Sequence, residues 1–120
     1  MPKVLIVDDD ANLTFLLKKM LEMEPEDFEV HVVRRGGQAL EAAQSSQPDL
    51  IMVDYNLNDM HGTDLIKQIR ADAYLASTPV ILASGLDVEH EALQAGANRF
   101  LLKPFEDPGE LAAIILQLIG

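Results

Sequence analysis

Four aspartates, a serine and a lysine stand where short apolar runs end. Asp8-Asp9-Asp10 follows Lys3–Val7, Asp54 follows Leu50–Val53, Ser84 follows Val80–Ala83, and Lys103 follows Arg99–Leu102. Singly, each has a plain explanation: an aspartate run before a helix caps it, a serine makes a turn, a lysine sits at the surface. Jointly they specify a chemistry. Carboxylates gathered at one place repel, and one of them stays protonated unless a cation compensates. A hard divalent ion such as Mg²⁺ resolves the conflict, taking one or two carboxylates, a carbonyl and waters. A lysine ammonium and a serine hydroxyl beside it complete a set suited to holding a phosphoryl group on or near a carboxylate.

These residues converge only if the runs are parallel strands of one sheet. Leu50–Val53 is continuous, apolar and partly β-branched, as a strand covered on both faces should be. Between the runs the spacing becomes helical. Leu13, Leu16, Leu17, Met20 and Leu21 mark a helix from Ala11 to about Met23, with Asp10 or Asn12 as its cap and Pro25 beyond its end. Phe28, Val30 and Val32 alternate with Glu29 and His31 as a half-exposed strand. Further helices are expected around Ala39–Ala43, from Leu65 to about Ala73, from Val88 to Gln94, and from Pro108 to Ile119. Strands alternating with helices require right-handed crossovers, so the expectation is an α/β domain with a five-stranded parallel sheet, doubly wound, spanning residues 1–120. In such sheets ligands bind beyond the carboxyl ends of the strands, where the six residues fall.

Composition narrows the function classes. The chain has 120 residues, no cysteine, and a formal charge of −11 from 20 acidic and 9 basic residues. Disulfides and thiolate metal sites are excluded, and a reducing, cytoplasmic setting is the natural fit. Arg34-Arg35 and Lys18-Lys19 form no basic stripe, so direct nucleic-acid binding is not expected. No apolar stretch reaches the roughly 18 residues a membrane span needs.

Four stretches together carry a family resemblance: Val-Leu-Ile-Val-Asp8-Asp9-Asp10; Pro48-Asp-Leu-Ile-Met-Val-Asp54 with Met60-His-Gly62; Thr78-Pro-Val-Ile-Leu-Ala-Ser84; and Gly96-Ala-Asn-Arg-Phe-Leu-Leu-Lys103-Pro104-Phe105. At these spacings the chain resembles the receiver domain of two-component response regulators, including the chemotaxis regulators. The resemblance implies a flavodoxin-like strand order and a signalling module that catalyses only its own phosphorylation and dephosphorylation. Asp54 would accept the phosphoryl group of a phosphohistidine on a sensor histidine kinase or histidine phosphotransfer protein. Asp8, Asp9, Asp54 and the backbone carbonyl of Asn56 would hold Mg²⁺. Ser84 and Lys103 would bind the phosphoryl oxygens, Lys103-Pro104 would be a cis bond, and Ser84 with Phe100 would form the switch. Its output would be the surface of the fifth strand and last two helices.

The chain departs from the family pattern at Asn58, where proline is usual, and at His61, where an acid is common. Asn56 and Leu86 occupy positions that in this family modulate phosphoryl lifetime. Asn56 also argues against an aspartyl-phosphate phosphatase, which commonly carries an aspartate there as general acid. The aspartate run argues against a nucleotide or flavin phosphate site after the first strand, and the intact acceptor set argues against a phosphorylation-independent adaptor. The last helix, with Leu111–Leu116, Leu118 and Ile119 nearly all apolar, should expose aliphatic surface to a partner, an output domain or a second copy. The absence of an output segment after Gly120 reads as a single-domain regulator or a receiver excised from a longer protein.

Overall fold

The computed structural model describes residues 1–105 and 107–120. Five strands, β1 (Lys3–Val7), β2 (Glu29–Val33), β3 (Leu50–Asp54), β4 (Val80–Ser84) and β5 (Arg99–Leu102), alternate with five helices: α1 (Ala11–Glu22), α2 (Ala39–Ser46), α3 (Gly62–Ala71), α4 (Glu89–Ala95) and α5 (Pro108–Ile119). A 3-10 turn, Gly36–Gln38, leads into α2. All strand pairs are parallel, in the order β2-β1-β3-β4-β5. The expected doubly wound, flavodoxin-like sheet is therefore the observed one. Among the described residues no helix is long and apolar enough to cross a membrane.

Side-chain alternation sorts the core into two layers. Leu5, Val7, Ile51, Val53, Val80 and Leu82 pack with residues of α2, α3 and α4. Val4, Ile6, Leu50, Met52 and Ile81 pack with Leu17 and Leu21 of α1 and with Leu111, Ala112, Ile114 and Ile115 of α5. The three central strands are buried on both faces, which is why they read as unbroken apolar runs. β2, at the sheet edge, keeps His31 exposed and so alternates.

Caps fix the helix ends. Asp10 caps α1, accepting from the amides of Asn12 and Leu13 at 3.0 Å each. Gly96 ends α4 at φ +115°, a conformation glycine adopts without strain. Its carbonyl is one of four acceptors of the Arg70 guanidinium, with those of Ala76 and Thr78 and Asn98 Oδ1, at 2.7–3.0 Å. This clasp ties the end of α3 to the loops before β4 and β5, at the sheet edge opposite the aspartates.

One expectation fails. Among the described residues, no large aliphatic of α5 is exposed: Leu116, Leu118 and Ile119 are half-buried against the α1/α5 layer, leaving Ala113 and Gln117 as its exposed positions beyond the first turn. The sequence could not show that α1 lies alongside α5 and shares its apolar stripe. Exposed large apolar side chains lie elsewhere, among them Phe15 and Leu16 of α1, Leu86 after β4, Leu93 of α4 and Leu102 of β5.

Candidate functional site

Register brings the acidic residues together. β1 and β3 pair with Val7 opposite Val53, so the next residues, Asp8 and Asp54, leave the sheet side by side. The Asp8 amide still donates to the Val33 carbonyl at 3.1 Å, and the Tyr55 amide to that of Ala83 at 2.8 Å, so both carboxylates are set by ladder hydrogen bonds. Asp9 follows at the bend before the α1 cap. One carboxylate oxygen from each of Asp8, Asp9 and Asp54 lies within 4.8 Å of the others.

Lys103 enters from the end of β5. Its amide donates to the Ser84 carbonyl at 2.8 Å. Its Nζ donates to Asp8 Oδ2 at 2.8 Å and to Asp54 Oδ1 at 2.9 Å. The following bond, Lys103–Pro104, is cis. The side chains of Lys103, Asp8 and Asp54 are 20%, 5% and 13% exposed, so these pairs are largely shielded from solvent. Burial pushes the Asp54 carboxyl above its ordinary range; the Lys103 hydrogen bond opposes this, and the charges of Asp8 and Asp9 reinforce it. Burial disfavours the charged form of Lys103, but its bonds to Asp8 and Asp54 outweigh that and raise its pKa.

Three carboxylates and one ammonium leave a formal charge of −2 (three negative, one positive) in a mostly buried cluster. Asp8 spends its second oxygen on the Asp10 amide at 2.9 Å. Asp54 Oδ2 and the Asp9 carboxylate take no protein donor among the described residues. This all-oxygen, doubly negative set fits a hard divalent cation by charge and by donor type.

The other expected residues fall around this cluster. Ser84 is buried, and its Oγ accepts from the Leu86 amide at 3.1 Å, leaving the hydroxyl proton available. It follows Ala83, the β4 partner of Asp54. Phe100 pairs with Leu82, two residues before Ser84, and is half-buried against the α2–α4 layer, as is Val88. Asn56 is exposed in the β3–α3 loop, bridged to His61. Its carbonyl meets no donor among the described residues. A groove of about 710 Å³ between α3 and α4, lined by Tyr55, His61, Lys67 and Glu91, lies beside the cluster and does not contain it.

Two further residues support the site through contacts with the backbone. Gly62 opens α3 so close to β3 that a Cβ there would collide with the Asp54 carbonyl oxygen. Asp59 reaches across to the backbone amides of Gly36 and Gly37, at 2.9 Å each.

Residues 4–116 match the model of the response regulator receiver domain. The chain is 40% identical over 117 residues to the transcriptional regulatory protein CpxR of Escherichia coli, covering 95% of this chain and 48% of that protein. It is 36% identical over 115 residues to the DNA-binding response regulator MtrA of Mycobacterium tuberculosis, covering 92% and 47%. The chain thus spans about half the length of these relatives. Its fold is similar to that of the receiver domain of sensor histidine kinase PA1611 from Pseudomonas aeruginosa, whose structure has magnesium coordinated in the active site cleft. That similarity has a TM-score of 0.87 at 30% identity, over 99% of this chain and 98% of that one. By its sequence, its sheet order and its relatives, the chain belongs to the response regulator receiver domain family.

Proposed function

We propose that this domain is a phosphoacceptor of a two-component or phosphorelay system, with Asp54 as the acceptor. The observation that carries this reading is the Lys103 ammonium held between Asp8 and Asp54, at 2.8 and 2.9 Å, beside Asp9. Asp54 Oδ2, the oxygen not engaged by Lys103, attacks the phosphorus of a phosphohistidine on a sensor histidine kinase or histidine phosphotransfer protein. A P–O bond forms, the P–N bond breaks, and its electron pair returns to the imidazole, which takes up a proton. Asp8, Asp9, Asp54 and the Asn56 carbonyl would hold Mg²⁺, which when bound neutralises charge on the phosphoryl oxygens. Lys103 exchanges Asp54 for a phosphoryl oxygen, and the Ser84 hydroxyl donates to another.

Drawing Ser84 toward the acceptor breaks its contact with the Leu86 amide and moves the β4–α4 loop. Phe100 then shifts toward the space beside Ser84, which alters the face formed by α4, β5 and α5. That face, with Leu93 and Leu102 exposed, is where an output partner or a second copy would bind. The DNA binding named for MtrA belongs to that protein; the −11 charge of this chain disfavours direct contact with nucleic acid.

Incubation with acetyl phosphate and Mg²⁺, followed by intact mass spectrometry, tests the reading. The expected result is uptake of one phosphoryl group, abolished by EDTA and by Asp54→Asn. Undiminished uptake in Asp54→Asn, or none in the wild type, would refute it.

A further inference from the structure

The β3–α3 loop is built as a small hairpin whose far end is tied down. At its base the Gly62 amide donates to the Tyr55 carbonyl at 2.7 Å, and Asn56 faces His61 across an antiparallel bridge. At its tip the Leu57 amide donates to the Met60 carbonyl at 3.2 Å, a closure on the weak side of hydrogen-bond geometry. Leu57 is buried, and Met60 lies so close over Gly36 that a Cβ there would collide with it. Between them, both Asp59 oxygens accept from consecutive amides, Gly36 and Gly37, at 2.9 Å.

The Gly36–Gln38 turn has no side-chain cap of its own, because its N-cap position is Arg35. The Gln38 amide donates to the Arg35 carbonyl at 3.1 Å, but those of Gly36 and Gly37 would otherwise lack a fixed acceptor. Asp59 supplies the cap from another loop, and those two bonds hold its carboxyl below the usual range, the Gly37 bond foremost. Three residues before it in the same hairpin is Asn56, an expected cation ligand carried by a loop and not by the parallel sheet. A backbone ligand is as well placed as the loop carrying it, and supports of this kind tune metal affinity without touching the metal.

We propose that Asp59 is a positioning residue for the cation site, fixing the hairpin tip on Gly36 and Gly37 and thereby holding the Asn56 carbonyl in place for the ion. The proposal rests on the reading of the site given above. It makes cation affinity depend on the junction between β2 and α2, a part of the fold that supplies no ligand.

The test is a Mg²⁺ titration by calorimetry of the unphosphorylated wild type, Asp59→Asn and Asp59→Ala. Asp72→Ala, which breaks the 2.7 Å Gln44–Asp72 bond at the opposite edge of the sheet, serves as a control for general destabilisation. Asp59→Ala should weaken Mg²⁺ binding about tenfold. Asp59→Asn, which keeps one acceptor oxygen, should weaken it less, and the control should leave it unchanged. With acetyl phosphate, the Mg²⁺ concentration for half-maximal rate should rise in Asp59→Ala while the rate at saturating Mg²⁺ is kept. Equal losses in the two Asp59 variants would assign the effect to lost charge and overturn the proposal, as would an Asp59→Ala affinity within about twofold of wild type. A wild type that binds no Mg²⁺ would overturn the site reading itself, and this proposal with it.

Discussion

Asp54→Asn should stabilise the folded protein when no divalent ion is present, although it removes a hydrogen-bonded, ion-paired side chain. Asp54 has two like-charged neighbours, each with an oxygen within 4.8 Å of its own, and one cation at 2.9 Å, which it shares with Asp8. At an effective dielectric of about 20, each repulsion costs about 3.5 kcal/mol and the Lys103 attraction returns about 6 kcal/mol. Charge interactions alone therefore leave Asp54 about 1 kcal/mol worse off ionised than neutral, and burial adds to that cost. Asparagine is nearly isosteric, keeps an oxygen for Lys103 and leaves the Lys103–Asp8 pair intact. The expected gain is about 1 kcal/mol, or a Tm higher by about 4 °C in a domain of this size.

Circular-dichroism melts in EDTA at pH 7 measure this directly, and the pH dependence checks its origin. Asp54 binds its proton more tightly folded than unfolded, because its folded pKa is raised above the ordinary 3.8. The wild type therefore bears the full cost above the raised value. The cost fades as pH falls from that value towards 3.8, where the unfolded state also protonates. The stability gap between variant and wild type should close over that window. Mg²⁺ should stabilise the wild type more than the variant, and so narrow the gap at pH 7. A variant less stable than wild type in EDTA, or a gap that widens on acidification, would refute the electrostatic account.

The neighbouring residues give predictions of opposite sign. Lys103→Met leaves three carboxylates without their shared ammonium and should destabilise the fold by about 3 kcal/mol at pH 7, read by urea unfolding. Added Mg²⁺ should recover part of that loss. In the wild type the Lys103 contribution is complete below the ordinary lysine value of 10.5 and is lost as pH rises through the raised folded pKa, so the penalty of Lys103→Met should shrink in alkali. Gly62→Ala should cost about 2 kcal/mol by the same assay, because the added methyl meets the Asp54 carbonyl. Weakened Mg²⁺ binding should accompany it, since that carbonyl belongs to the backbone that aims the Asp54 side chain.

The residues differ in how plainly the sequence announced them. Asp54, Asp8, Ser84 and Lys103 were visible because a parallel sheet places all strand ends on one edge, so convergence follows from topology alone. The central strands were legible because burial on both faces requires an unbroken apolar run. Asp59 and Arg70 were not legible. Each bonds to backbone groups far along the chain, Asp59 to Gly36 and Gly37, Arg70 to Gly96, and a backbone acceptor or amide leaves no mark on residue type. Gly62 was visible as a loop end, but its closeness to Asp54 depends on how α3 meets β3. The exposure of α5 is not legible for a related reason: the residues of one helix do not tell which neighbour covers it, and here α1 shares the layer.

The same contacts govern stability and chemistry at this site, and the alternation of the strands is the reason. Val4 and Ile6 of β1, and Leu50 and Met52 of β3, face the α1/α5 layer. Two residues further along each strand are Asp8 and Asp54, which inherit that face as the apolar layer ends. The register that packs the core thus also presses two carboxylates together, and nothing in the packing relieves them. Lys103 compensates one charge of the pair, and the remainder keeps Asp54 both destabilising and receptive to cations. A substitution that relaxes the repulsion, such as Asp54→Asn, gains stability by discarding the charge that draws the ion, so this domain cannot be made more stable at that position without losing the chemistry we assign to it.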